Sequence, residues 1–159
     1  MTTGRVVVLG RKTLETFPGK RPLKNRTNII LSRDASYQAP DAMIAHDIKE
    51  LAELLKGYPD EDIFIIGGES VYRQLLPLCS RAYVTKIDRA YDADAYFPNL
   101  DELPEWRLTK ESEEKTYFDV TYAFLTYERL SAERNISETN ISETNADVTE
   151  KSFGTEKRR

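Results

Sequence analysis

The sequence is short of the residues that build disulfides, metal centres and membrane spans. Among 159 residues there is one cysteine, Cys79, and one histidine, His46. One cysteine cannot close an intrachain disulfide, and this pair lacks the ligand spacing of a zinc site. A lone Cys in an apolar stretch is most often a small core residue, and Cys79 is read that way. No apolar run approaches the roughly 20 residues needed to cross a bilayer as a helix. Nor is there an excess of positive charge: 23 Lys and Arg stand against 27 Asp and Glu, a formal net charge of −4. General nucleic-acid binding needs a basic field that displaces counterions from phosphate, so this balance argues against it. A small anionic ligand stays open, since a few placed Arg side chains suffice to hold one. The opening residues Met1 to Arg5 do not read as a signal peptide, which makes a cytoplasmic location the expectation.

What is present divides into a body and a tail. The chain is 40% hydrophobic, the ordinary level for a globular protein, and long enough for one domain with a real core. Residues 1–130 carry the periodic apolar pattern. From Ser131 to Arg159 the apolar residues thin to Ile136, Ile141, Val148 and Phe153, and Asn-Ile-Ser-Glu-Thr occurs twice in succession from Asn135 and Asn140. Such a segment buries too little apolar area to offset its ordering entropy, so a polar, disordered or weakly helical extension is expected. Its two Asn-x-Ser sequons are read as chance occurrences.

The body alternates strand-like and helix-like segments. Val6-Val7-Val8-Leu9 and Ile63-Phe64-Ile65-Ile66 are continuous apolar runs, as in strands covered on both faces, and Asn28-Ile29-Ile30-Leu31 reads as another buried strand. A short strand is expected at Ala42–Ala45 and another at Ala82–Ile87. Helices are expected over Lys12–Phe17, Ile48–Lys56 and Ser70–Leu76. Asp47 is the N-cap of the second, with Glu50 three residues on completing a capping box. Trp106–Lys110 and Thr121–Tyr127 read as an antiparallel pair. Together these give an α/β fold: a mostly parallel sheet with flanking helices and an antiparallel C-terminal edge.

In parallel sheets ligands bind where strands end and helices begin. Two such junctions stand out, Gly10-Arg11-Lys12-Thr13 and Gly67-Gly68-Glu69-Ser70. Glycines permit close backbone approach to a phosphate, and Arg11 and Lys12 add charge-assisted bonds. Neither matches the GxGxxG fingerprint or the P-loop, and each alone is weak. Leu31-Ser32-Arg33 ends the strand between them, where an Arg suits a 2′-phosphate. Arg26, just before a buried strand, is placed to meet a carboxylate. Other polar residues have plainer readings. His46 serves the cap region, Asp88, Asp92 and Asp94 shape a turn rather than an EF-hand, and Tyr72 either stacks on a ligand or packs.

These strings together resemble the dihydrofolate reductase family. The resemblance runs through Val7-Val8-Leu9-Gly10-Arg11-Lys12-Thr13, Glu15-Thr16-Phe17-Pro18, Arg21-Pro22-Leu23 and Arg26-Thr27-Asn28-Ile29-Ile30-Leu31-Ser32. It continues in Ile65-Ile66-Gly67-Gly68-Glu69-Ser70-Val71-Tyr72, Thr85-Lys86-Ile87, Asp94-Ala95-Tyr96-Phe97-Pro98 and Thr121-Tyr122-Ala123-Phe124. It implies an NADPH-dependent reductase of dihydrofolate. Gly10, Arg11, Lys12, Thr13, Leu31, Ser32, Arg33, Gly67, Gly68, Glu69, Ser70 and Val71 would serve the cofactor. Phe17, Leu23, Arg26, Ile66 and Tyr72 would serve the substrate, with Arg26 on its glutamate carboxylate. Thr85 would support the acidic residue that orients the pterin. In the family that acid, the first strand and a mobile loop precede the segment matched by Thr2-Thr3-Gly4, so they are expected to be missing here. A non-catalytic NADP-binding remnant or interaction module is therefore the alternative. A related pterin- or pyrimidine-type reductase fits the Phe17–Arg26 loop less well.

Overall fold

The computed structural model describes residues 1–90 and 92–130; the expected tail lies outside them. The organising element is β1 (Val6–Gly10), whose Val6, Val7, Val8 and Leu9 are all at most 1% exposed. Side chains alternate across a strand, so a run with no polar residue must be covered on both faces. Val6 and Val8 pack with Ile29, Leu51, Leu55, Val71 and Leu75. Val7 and Leu9 pack on the other side with Leu14 and Ile30. Full burial of a Val or Leu side chain contributes roughly 1.5–3 kcal/mol, so β1 alone is a large share of the core.

Around it runs a parallel sheet in the order β3-β2-β1-β4, with β2 at Thr27–Leu31, β3 at Met43–Ala45 and β4 at Ile63–Ile65. Three helices flank it: α1 (Arg11–Thr16), α2 (Ile48–Leu55) and α3 (Glu69–Leu75). Each starts or ends within a residue of its expected bounds, and a 3-10 turn over Leu76–Leu78 follows α3. Asp47 caps α2 by accepting from the Glu50 amide at 2.8 Å. The Glu50 carboxylate reaches back one residue further than a standard capping box, to the His46 amide at 2.7 Å. His46 is thus in the cap region as expected, with its ring Nδ1 donating to the Ser32 carbonyl at 2.8 Å.

The antiparallel part is larger than a pair. Strands β5 (Arg81–Ile87), β6 (Trp106–Glu111), β7 (Lys115–Tyr117) and β8 (Val120–Arg129) form a second sheet, with β8 between β5 and β6 and a β7–β8 hairpin. Leu76, Leu100, Trp106, Ala123, Leu125 and Tyr127 make its core. The two sheets do not join into one ladder. Their nearest edges, β4 and β5, line a cleft of about 740 Å³.

The phase of the ladders says which backbone groups face this cleft. Ile66 N–H bonds the Val8 carbonyl, so Phe64 and Ile66 direct their backbone groups to β1, and those of Ile63 and Ile65 point the other way. Arg129 N–H bonds Ser80 and Asp88 N–H bonds Thr121, so the even-numbered residues of β5 face β8. Arg81, Tyr83 and Thr85 therefore turn their backbone groups outward. Such groups need water or another chain segment as partner.

Replacing Asp47 by Ala removes one cap bond while leaving the apolar stripe of α2 intact. A loss of ~1 kcal/mol in urea unfolding is expected, and an unchanged midpoint would refute the capping role.

Candidate active site

The site is assembled where β1 and β4 end. Gly10 N–H donates to the Gly67 carbonyl at 2.8 Å, tying the two strand-to-helix turns together. The approach is close enough that side chains would interfere. A Cβ on Gly10 would lie 3.1 Å from Val71 Cγ2, and one on Gly68 would lie 2.9 Å from Thr13 Oγ1. Gly67 has φ +119°, a region that L side chains rarely adopt, and the Tyr72 ring rests against it. Gly10, Thr13, Gly67, Gly68, Val71 and Tyr72, scattered over two motifs, thus form one contact group.

Positive charge gathers on one side of this group. Arg11 opens α1 and extends toward the turn after β2, with its guanidinium carbon 5.6 Å from the Tyr37 ring centroid. Its nearest carboxylates are Asp34 at 3.5 Å and Glu15 at 3.7 Å, on an Arg side chain that is 38% exposed. Pairs this long and exposed are weak, so a multiply charged anion competes readily for Arg11. Asp34 is held below the usual carboxylate range, chiefly by hydrogen bonds from the Ser36 hydroxyl and amide and further by Arg11. Lys12 and Arg33 are exposed nearby in the chain, Leu31 is half-buried, and the Ser32 hydroxyl is buried and accepts from the Asp34 amide at 3.3 Å. Ser70 is exposed on α3.

The expected substrate residues fall into two places. Phe17, Leu23 and Ile66 pack on the cluster of Val7, Leu9, Leu14 and Ile30, on one face of the parallel sheet. Arg26 sits at the opposite, amino-terminal end of β1 and β2. Its guanidinium donates to Thr2 Oγ1 at 2.7 Å, to the Lys24 carbonyl at 2.7 Å and to Thr3 Oγ1 at 3.4 Å. One strand of this length spans roughly 16 Å, so the Gly10 and Arg26 ends are separated as the two ends of an elongated ligand would be. Asn28, buried beneath, exchanges bonds with Leu23 N–H and C=O at 3.0 and 2.9 Å and fixes that loop.

Ile66, Tyr72, Thr85 and Phe97 line the cleft between the sheets, together with Leu76, Cys79 and Val84. Burial pushes the Tyr72 phenol up from its ordinary value, with Cys79 adding to the shift. Burial also pushes the Cys79 thiol up, to about 11, and its Sγ donates to the Leu75 carbonyl at 3.3 Å. Cys79 is an inert wall residue, as its setting in the sequence indicated. The carboxylates lining this cleft are Asp60 and Glu61. Both precede β4 and therefore lie at its far end from Gly67.

Asp34 and Tyr37 carry no signal in the sequence, and Phe97 stands in a family-like string without an assigned role. All three enter through contacts with residues distant along the chain. Glu69 was expected to serve a cofactor, yet both its carboxylate oxygens are engaged by protein, Oε1 with Arg73 at 2.7 Å and Oε2 with the Tyr96 amide at 3.1 Å. No group of three or more metal-ligating side chains exists among the described residues.

The close approach at Gly68 gives a direct test. Gly68→Ala should lower the unfolding free energy by about 1–3 kcal/mol through overpacking. Thr13→Ala in that background removes Oγ1 and should recover part of the loss. Strictly additive effects in chemical denaturation would show that the crowding lies elsewhere.

The family model described as dihydrofolate reductase matches residues 1–129. A dihydrofolate reductase of Staphylococcus haemolyticus is 39% identical over 121 residues, covering 74% of this chain and 70% of the relative. One from Neisseria gonorrhoeae is 36% identical over 114 residues, covering 72% and 68%. Among solved structures, dihydrofolate reductase from Enterococcus faecalis, complexed with NADP(H) and RAB-propyl, superposes with a TM-score of 0.70 at 30% identity, over 80% of this chain and 76% of that one.

Proposed function

This chain belongs to the dihydrofolate reductase family, and on that premise we propose that it reduces 7,8-dihydrofolate to tetrahydrofolate with NADPH. The observation that carries the proposal is the tied pair of glycine turns, Gly10 to Gly67, with Arg11 beside it. The fit to an anionic dinucleotide is physical. The junction lies at the carboxyl ends of parallel strands, its backbone is bare of Cβ atoms at the closest approach, and its nearest cation is only loosely paired.

In this reading Gly10, Lys12, Thr13, Gly67, Gly68, Ser70 and Val71 shape the phosphate channel. Arg11, Ser32 and Arg33 meet the 2′-phosphate side, with Leu31 beside the adenosine. When bound, NADPH supplies the hydride. The chain's own residues hold the acceptor. Phe17 and Leu23 present an apolar wall for the aminobenzoyl group, and Arg26 gives up its Thr2 and Thr3 contacts for the glutamate carboxylate. Ile66 and Tyr72 flank the pterin. Thr85 offers a hydroxyl at the pterin end of the cleft.

Pterin reduction also requires a proton at N5. The residues lining the cleft beyond Ile66, namely Tyr72, Thr85 and Phe97, include no carboxylate. That observation favours a second reading, in which this chain binds NADP without turnover. Following NADPH oxidation with dihydrofolate, beside a fluorescence titration of NADPH, separates the two. Turnover comparable with an ordinary family member sinks the second reading; tight NADPH binding without turnover sinks catalysis by this chain. Failure to bind NADPH overturns both.

Arg26→Ala should weaken dihydrofolate binding by about 10-fold or more, as expected for loss of a charge-assisted pair. NADPH affinity should stay within about twofold. Equal losses for the two ligands would refute the carboxylate assignment.

A further inference from the structure

Glu69 is the first residue of α3, directly after the Gly67-Gly68 turn, beside a site read as binding an anion. A free carboxylate there would repel phosphate. Its charge is instead spent within the protein. Arg73, one helical turn on, pairs with Oε1 at 2.7 Å, and the Tyr96 amide donates to Oε2 at 3.1 Å. The second bond joins residues 27 apart and holds the exposed segment around Tyr96 onto α3. The same segment makes one further contact with this helix: Phe97 meets the Tyr72 ring edge-on, with centroids 4.9 Å apart and planes at 89°. Tyr72 in turn rests on Gly67, 3.5 Å from where a Cβ would stand. The contacts therefore form a chain from the Tyr96 amide through Glu69 and from Phe97 through Tyr72 to the turn that Gly10 bonds.

We propose that Glu69 is a positioning residue: its carboxylate clasps residues 95–97 onto α3, holding Tyr72 against the Gly67 turn and thereby setting NADPH affinity. The affinity part rests on the cofactor reading above. The clasp itself stands on the contacts alone.

The sign of the effect discriminates this role from simple electrostatics. Deleting a negative charge beside a phosphate site should by itself tighten binding. Losing the clasp should weaken it. Glu69→Ala is therefore expected to raise the NADPH dissociation constant about tenfold, the scale of one charge-assisted hydrogen bond. Glu69→Gln keeps an acceptor for the Tyr96 amide and should rescue binding to within about threefold of the parent. Phe97→Ala removes the other contact, tests the clasp without touching Glu69, and should weaken binding in the same direction. Combined with Glu69→Ala, its effect should be less than additive, because both contacts hold one segment.

Amide hydrogen exchange at Tyr96, measured by NMR without cofactor, reads the clasp independently of ligand. Exchange should be slowed in the parent and in Glu69→Gln, and faster in Glu69→Ala. Equal or tighter NADPH binding by Glu69→Ala, or exchange at Tyr96 unaffected by that substitution, would overturn the proposal. A parent chain that binds no NADPH would overturn the cofactor reading and the affinity claim together. Protection of the Tyr96 amide would then distinguish that failure from absence of the clasp.

Discussion

One hydrogen bond, from Gly10 N–H to the Gly67 carbonyl, decides how the candidate site is built. It joins two turns that follow adjacent parallel strands, and it fixes the distance between the starts of α1 and α3. Once that distance is set, Gly10 faces Val71 and Gly68 faces Thr13 with no room for a Cβ at Gly68. The bond itself depends on β1. Because β1 is an inner strand, buried on both faces and bonded to β2 and β4, its end is firmly held by the parallel sheet. A site anchored there inherits that rigidity.

The two strand-to-glycine turns that form the candidate site could be seen in the sequence, and the reason is local. A run such as Val6-Val7-Val8-Leu9 can only be a strand covered on both faces, and a glycine after it marks a close turn. The same holds for Ile63–Ile66 and Gly67-Gly68. The cap at Asp47 was legible for the same reason, because donor and acceptor are three residues apart. What could not be seen is whatever depends on contacts between distant segments. Asp34 beside Arg11, Phe97 on Tyr72 and the Tyr96 amide on Glu69 join residues 23 to 27 positions apart in exposed stretches. Residue type there gives no preferred partner. The β7 strand was missed because all three of its residues are exposed, so burial leaves no alternation to read.

The resemblance to the family supplied the order of the elements but not the state of Glu69. Its position after Gly68 made it a cofactor residue by association. The structure shows a carboxylate whose two oxygens are committed to the protein. A charged group at a strand-to-helix turn can thus serve an anion site without touching the anion, by being neutralised in a way that orders a neighbouring segment.

The two halves of the site also differ in what holds them. The tied glycine turns are closed by hydrogen bonds and packing within one sheet and its helices. Ile66 and Tyr72 on one side and Thr85 on the other, proposed above for the pterin, face each other across the cleft between β4 and β5. No ladder ties those strands among the described residues, and the backbone groups of Ile63, Ile65, Tyr83 and Thr85 turn into the gap. The segment that connects β5 to β6 meets α3 through the Tyr96 amide on Glu69 and the Phe97 ring on Tyr72. On the proposed reading, holding a dinucleotide and aligning a pterin make separate mechanical demands. The first requires β1, β4 and their turns to stay in register. The second requires two sheets to keep a fixed spacing, which bare strand edges do not by themselves enforce.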